Sequence, residues 1–185
     1  AGQADVLTRL VWLGAPLDVA RCWRLAIELG KVEVMAWLRG HAPGECAWDD
    51  EAEIEDEHGD NVEGGPCAWA ASHGQLAALQ WLRDPARDGG PCPWDALTCA
   101  QAARGGHLAL LQWARLEANP PCPWNEWTCA NAAQGGHLAL LQWARTVADP
   151  PCPWDEETCA QAAQNGHLAL LQWARTAANP PCPWD

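Results

Sequence analysis

Cysteine and histidine recur at fixed spacing in this 185-residue chain, and both residue types can support metal or redox chemistry. No Cys-x-x-Cys motif occurs, so the spacing does not match a familiar zinc site. Metal binding, disulfides and the simple packing of small buried thiols therefore all stay open. The ten cysteines include three pairs with seven-residue spacing, namely Cys92 and Cys99, Cys122 and Cys129, and Cys152 and Cys159.

Three histidines, His107, His137 and His167, each follow a glycine at the same point of the sequence pattern. One interpretation is a ladder of metal ligands, because neutral imidazole is a common metal ligand. The other is a structural role, in which each imidazole hydrogen-bonds the backbone near a turn. We expect the structural role.

The residues needed for familiar catalytic sites are scarce. Ser72 is the only serine and lies in no Gly-x-Ser-x-Gly motif, and Lys31 is the only lysine and lies in no phosphate-binding loop. No His-Glu-x-x-His motif occurs either. We therefore expect no catalytic residues, no enzyme activity, no cofactor and no bound metal.

The formal net charge of −13 comes from 24 acidic against 11 basic residues. Nucleic acids and anionic membranes repel such a chain, so we expect neither as a partner. No apolar stretch is long enough to span a bilayer. The first 30 residues lack a basic segment followed by an apolar one, and we expect a cytoplasmic location.

A 30-residue repeat explains the unusual composition of 14 Trp with no Phe and no Tyr. The tetrapeptide Pro-Cys-Pro-Trp begins at Pro91 and recurs at 30-residue steps, and the stretches 121–150 and 151–180 differ at only six positions. The chain begins inside one unit and ends inside another, as a fragment of a longer array would. We divide it into a partial unit at 1–16, units at 17–48 and 66–94, an acidic insertion at 49–65, and regular units at 95–124, 125–154 and 155–185.

Each repeat is predicted to form two short helices joined by a tight turn. In the last regular unit, Thr158 is the expected N-cap of a helix over 159–164, and Asn165-Gly166 ends it. A second helix is expected over 167–177, followed by a stiff Pro-rich loop. Neither helix can bury its own apolar face, so the repeats must stack as an all-α solenoid. The insertion, with nine acidic residues, is predicted to be a mobile loop.

Tryptophans recur in the second helices and in the Pro-rich loops, and this periodicity predicts packing between repeats. On the second helix, Gln172 and Arg175 are expected to face solvent. The periodic rings are Trp81, Trp113, Trp143 and Trp173 in the helices, and Trp94, Trp124, Trp154 and Trp184 in the loops.

The order Thr98-Cys-Ala-Gln-Ala-Ala-Arg-Gly-Gly-His-Leu resembles the ankyrin-repeat motif Thr-Pro-Leu-His-x-Ala-Ala-x-x-Gly-His. The Cys-Pro-Trp-Asp loops and Leu-Gln-Trp-Ala-Arg helices are similar to ankyrin arrays of giant DNA viruses, algae and oomycetes. Cys99 and Gln101 depart from that motif, and the repeat is shorter than the usual ~33 residues, which implies shortened hairpin loops. The resemblance implies an ankyrin-type helix-turn-helix solenoid. Viral members often join such arrays to an F-box-like segment that recruits ubiquitin ligases, which would make this chain a host-targeting adaptor in the host cytoplasm.

The side chains that differ between repeats form the predicted binding surface for a protein partner. An ankyrin-type stack places them on the concave face, at loop tips and first helices. Trp69 and Trp127 occupy positions that are otherwise variable or polar, so they are candidate hot spots. A cysteine-based metal or redox binder and a structural scaffold without a specific partner are the alternatives, and drift at solvent positions would give the same variation. The candidate contacts are Trp69, Leu97, Gln101, Arg104, Glu126, Trp127, Asn131, Gln134, Glu156, Glu157, Gln161 and Gln164.

Overall fold

The structure, a computed structural model, describes residues 12, 16–46, 54–55, 61–62, 65–86 and 90–184. Helices make up most of the described part of the chain, as the repeat pattern predicts. The helices are α1 (Val19–Glu28), α2 (Val32–His41), α3 (Gly65–Ser72), α4 (Leu76–Leu82), α5 (Ala96–Arg104), α6 (Leu108–Leu116), α7 (Glu126–Gln134), α8 (Leu138–Thr146), α9 (Glu156–Gln164) and α10 (Leu168–Thr176), with a 3-10 turn at Pro43–Glu45.

The acidic insertion contains a short β-ladder, β1 (Ile54–Glu55) and β2 (Asn61–Val62). The two strands pair antiparallel, with Ile54 opposite Val62. These four residues belong to the segment for which the sequence predicts a mobile loop. Apart from Gly65, which begins α3, the rest of the insertion lies outside the described residues, as does most of the partial unit predicted at 1–16.

The chain forms two compact units, which we describe separately. Unit 1 comprises residues 1–70 and 75–93. In it α1 packs against α2, and the Trp23 and Trp81 rings meet edge to face with centroids 6.2 Å apart. Gln75 Nε2 donates to the Glu28 carbonyl at 2.7 Å. Fully buried side chains form its core, among them Ile27, Met35, Leu38, Leu79 and Leu82.

Unit 2 comprises residues 71–74 and 94–185 and holds the three regular repeats. Its first helices lie side by side, with α7 packed between α5 and α9. Small buried residues on these helices allow close approach, because alanine and cysteine add little bulk between the backbones. On α7 these residues are Cys129, Ala130, Ala132 and Ala133, and equivalent residues recur on α5.

The first helices begin three residues earlier than the sequence predicted. Asp95 is extended at φ −140° and ψ −169°, and its carboxylate accepts hydrogen bonds from the N–H groups of Leu97 and Thr98. This capping starts α5 at residue 96. α9 starts at the equivalent residue 156, although its N-cap Asp155 makes no side-chain capping bond. Thr158 is therefore not the N-cap. It is the third helical residue and is fully buried.

Left-handed glycines connect the two helices of each repeat, as expected from the Gly-rich turns. Gly106, Gly136 and Gly166 have φ between +74° and +75°, which a residue with a Cβ adopts only at a cost. The second helices then begin directly after the histidine. In the loops that follow α6, α8 and α10, the Asn119–Pro120, Asp149–Pro150 and Asn179–Pro180 bonds are cis.

The three histidines connect consecutive first-helix ends. His137 Nε2 donates to the Arg104 carbonyl at 2.9 Å, and His167 Nε2 donates to the Gln134 carbonyl at 3.0 Å. His107 makes the same bond to the Ser72 carbonyl at 3.0 Å. The predicted structural role is confirmed, and the carbonyl belongs to the preceding repeat.

Two glycine substitutions should separate backbone strain from crowding. Gly136→Ala and Gly166→Ala share a φ of +74°, so each should lose about 1–2 kcal/mol of unfolding free energy. A Cβ at residue 136 would also lie 2.6 Å from the His167 ring, whereas no described atom lies within 4 Å of one at residue 166. Gly136→Ala should therefore lose about 1 kcal/mol more, because it displaces a hydrogen-bonded ring. Urea unfolding measures both, and equal losses would contradict this account of the histidine.

Candidate functional site

In each regular repeat, a cysteine of the Pro-rich loop forms hydrogen bonds with both helices. The N–H of Cys152 donates to the Ala144 carbonyl at 2.9 Å, and its thiol donates to the Asn125 carbonyl at 3.4 Å. Its own carbonyl accepts from the Cys129 thiol at 3.9 Å and from Arg145 Nη1. One residue thus joins the start of α7, the body of α7 and the end of α8. Cys122 makes the equivalent contacts one repeat earlier.

The arginine that binds this carbonyl also stacks on the loop tryptophan. The Arg145 guanidinium carbon lies 4.3 Å from the centre of the Trp154 ring, and that of Arg115 lies 4.2 Å from Trp124. Both arginines are half-buried, and each gains a cation–π contact with its hydrogen bond. Arg175 also donates to the Cys182 carbonyl, although its side chain is exposed as predicted. The sequence analysis missed this role.

Loop and helix tryptophans pack against each other in unit 2, as their periodicity predicted. Trp124 and Trp143 meet at a centroid distance of 5.9 Å and an angle of 63°. Trp154 and Trp173 meet at 5.9 Å, and Trp94 and Trp113 at 6.0 Å. Each loop ring therefore packs against the second helix of the following repeat, and this contact holds the loop in place.

The thiols have the properties of packing groups. All ten cysteines are free. A hydrogen bond with the loop cysteine Cys152, followed by burial, raises the pKa of Cys129 well above its usual value, and Cys99 is raised in the same way by Cys122. Burial likewise raises the pKa of Cys46 to about 11. A raised pKa keeps these thiols protonated near pH 7, whereas metal ligands and redox nucleophiles need the thiolate.

Eleven of the twelve predicted contact residues lie on α5, α7 and α9 of unit 2. We call them the first-helix face. Trp127 is 57% exposed, and no aromatic or cationic side chain among the described residues stacks on its ring. The exposed members are Arg104, Glu126, Trp127, Glu156 and Gln164, and the half-buried ones are Leu97, Gln101, Asn131, Gln134, Glu157 and Gln161.

Trp69 does not belong to this surface. It lies on α3 and is only 5% exposed, so its ring is part of the protein interior. The prediction that Trp69 contacts a partner is wrong. Its position matches that of the half-buried Gln101 in the repeat pattern, but the large apolar ring gains more from burial than a polar side chain does.

A cleft of about 240 Å³ opens between the starts of α7 and α9. Glu157, one of its acidic residues, is held by Gln161, whose Nε2 donates to the Glu157 carboxylate at 2.7 Å. Asp155, unlike Asp95, makes no side-chain capping bond to its helix. The sequence analysis missed Asp155 and Ala130 as lining residues, although the run Asp155-Glu-Glu one repeat after Trp127 could have indicated them. The lining residues are Glu126, Trp127, Ala130, Asp155, Glu156 and Glu157.

No protein-family model matches the chain, and no curated protein shows significant sequence similarity to it. Within the described ranges, no three His, Cys, Asp or Glu side chains come together as a set of metal ligands. None of the helices that the structure describes combines the length and the apolar character needed to cross a bilayer. The geometry of unit 2 is therefore the basis for the function proposed below.

Replacing Arg145 by lysine should destabilise the protein although the charge is kept. Lysine offers neither the flat guanidinium that stacks on Trp154 nor its forked donors, so we expect a loss of about 1–2 kcal/mol of unfolding free energy. Arg175→Lys is the matched control, because Arg175 is exposed and lies farther from its ring, at 5.4 Å from Trp184. Urea unfolding of both variants tests this, and a loss in Arg175→Lys as large as that in Arg145→Lys would contradict it.

Stability should fall as the pH rises above the ordinary cysteine value of 9.0. Cys99 and Cys129 hold their protons more tightly in the folded chain, so their contribution is complete below that pH and is lost as pH approaches the raised pKa. Each thiol should contribute a slope of up to about 1.4 kcal/mol per pH unit. Because the chain has no Tyr and one Lys, cysteines are the main side chains whose ordinary pKa lies between pH 8 and pH 10, and Cys22, Cys46 and Cys182, whose pKa values are also raised, add to the slope.

Urea unfolding at pH 8, 9 and 10 measures this slope. Cys129→Ala should reduce the slope by one thiol's share, whatever it does to the stability at pH 7. A free energy of unfolding that stays constant from pH 8 to pH 10 would show that the buried thiols do not titrate as described.

Proposed function

We propose that this chain is a non-catalytic, ankyrin-type interaction module that binds a protein partner through its first-helix face. The observation that carries the proposal is the cleft beside the exposed Trp127, together with the clustering of variable side chains around it. The two most similar repeats differ at six positions, and two of these, 127 and 131, belong to the first-helix face. A third, 125, is the N-cap of α7.

The packing residues explain why the first-helix face is free to vary between repeats. The loop cysteines, the arginines that bind their carbonyls and the tryptophans of the second helices maintain contacts within and between repeats. Changes there would disrupt packing, whereas changes at residues such as Trp127 or Gln164 meet solvent. A repeat array that diversifies one surface while keeping its packing constant suits the recognition of a macromolecule.

An exposed tryptophan surrounded by polar side chains is typical of a binding hot spot. Such residues contribute most of the binding energy in protein interfaces, because a large rigid ring loses little conformational entropy on binding. Glu126 and Glu156 on either side supply a polar rim. The sequence resemblance to viral ankyrin arrays extends the proposal to an adaptor that recruits a host protein, and that extension rests on the resemblance alone.

Capture of partners with two matched variants tests the proposal. The immobilised wild-type chain and Leu168→Ala should retain the same protein from a cell lysate, because Leu168 lies on a second helix, although it is 64% exposed. Trp127→Ala should reduce retention about tenfold or more, as removal of a hot spot does. Its unfolding free energy should change by less than about 0.5 kcal/mol, since the ring is exposed. Equal retention by all three proteins would overturn the proposal.

A further inference from the structure

The cleft between α7 and α9 combines one aromatic ring with a concentration of negative charge. Trp127 and Ala130 are its apolar lining residues, and the other four, Glu126, Asp155, Glu156 and Glu157, are acidic. None of the described residues that line it is basic. An aromatic face and carboxylates both attract a cation, the ring through its quadrupole and the carboxylates through charge and hydrogen bonding.

Glu157 is arranged to receive a donor, whereas Asp155 is not. The Gln161 amide holds the Glu157 carboxylate through one oxygen, so the other oxygen keeps its acceptor capacity. Asp155 stands at an N-cap without making a capping bond, and its Oδ1 is buried without a hydrogen-bond partner among the described residues. Because that oxygen is shielded from solvent, Asp155 contributes negative charge to the cleft and not an acceptor for an entering donor.

The size of the cleft limits what can enter. About 240 Å³ is smaller than the ~300–1,000 Å³ typical of sites for drug-sized molecules, so one side chain fits better than a whole ligand. A chain of formal charge −13 also attracts basic segments over long range, which favours encounter with a cationic partner.

Arginine fits these features better than lysine. Its planar guanidinium can stack on the Trp127 ring while its donors reach carboxylates on the facing helix, whereas an ammonium is a compact, strongly hydrated charge. This chain already combines arginine in that way, because Arg115 and Arg145 stack on Trp124 and Trp154 while donating to a carbonyl.

We propose that the Trp127 cleft binds an arginine side chain from a basic segment of the protein partner. This inference rests on the proposed function and specifies what that interface recognises. Trp127 supplies the stacking surface, and Glu156 and Glu157 supply the acceptors. The partner's segment would lie along the starts of α7 and α9.

Nuclear magnetic resonance with a minimal probe tests the cleft without the partner. N-acetyl-arginine amide, titrated into ¹⁵N-labelled protein, should shift the Trp127 indole N–H and the Ala130 amide in a saturable way. N-acetyl-citrulline amide, which has the same shape without the charge, should shift neither. N-acetyl-lysine amide should bind more weakly than the arginine probe. Equal shifts from the arginine and citrulline probes, equal affinities for arginine and lysine, or no shift at either position would overturn the proposal.

Matched variants separate the contributions of ring and charge, with the Ala130 amide as the readout. Trp127→Phe should keep most of the affinity and Trp127→Leu should lose it, because only the aromatic ring attracts the cation. Replacing Glu156 and Glu157 together by Gln should weaken binding about tenfold, whereas Glu117→Gln, an exposed change at the end of α6, should not. Equal affinities for Trp127→Phe and Trp127→Leu would contradict the stacking role.

The two proposals fail in different ways. If the arginine probe binds saturably but the immobilised chain retains no protein, the cleft does bind arginine and the proposed interaction module is wrong. If retention of a protein depends on Trp127 but the arginine probe causes no response, the interaction module is supported and the arginine site is wrong.

Discussion

A single residue in each loop, the cysteine of the Cys-Pro-Trp segment, constrains the repeats of unit 2. Its N–H, thiol and carbonyl contact both helices of its repeat, and these bonds fix the position of the Pro-rich loop. The arginine that donates to the carbonyl is itself held by the tryptophan two residues beyond the cysteine. The same arginine-to-carbonyl bond occurs in unit 1, from Arg39 to Cys46 and from Arg83 to Cys92. In five loops, therefore, the same arginine-to-carbonyl bond orders a segment that has no helix or strand to satisfy its backbone groups.

This arrangement divides each repeat into a conserved framework and a free surface. The residues that bind or stack within the framework lie in the loops and second helices, where the repeats of unit 2 are nearly identical. The backbone at the starts of the first helices is part of this framework, because the cysteine thiols donate to it, but exposed side chains there, such as Trp127, are not. Alanines hold α5, α7 and α9 close together on their packed sides, and the remaining sides carry Trp127, the acidic residues and the amides. The cleft follows from this division, since it forms where two first helices begin next to each other.

Much of this organisation was predictable, because the repeat fixes which positions are equivalent. The helix-turn-helix unit, the left-handed glycines and the structural histidines all followed from periodicity and turn chemistry. The helix starts did not, because both Thr158 and Asp155 can cap a helix and only the backbone geometry decides between them. Trp69 was misassigned since exposure depends on what packs over a ring. The arginine-to-cysteine bond recurs with a spacing of seven residues in four loops, from Arg39, Arg115, Arg145 and Arg175, so a signal existed, but spacing alone does not reveal an acceptor on the backbone.

The bonds between consecutive repeats in unit 2 end on main-chain oxygens. His137 binds the carbonyl of Arg104, and His167 binds that of Gln134, so the same bond forms whatever side chain the acceptor residue carries. A repeat can therefore be exchanged for its neighbour, or duplicated, without losing this connection. Arrays produced from this chain in that way would differ in length and in the order of their first-helix side chains. Each would keep the histidine-to-carbonyl bond between consecutive repeats.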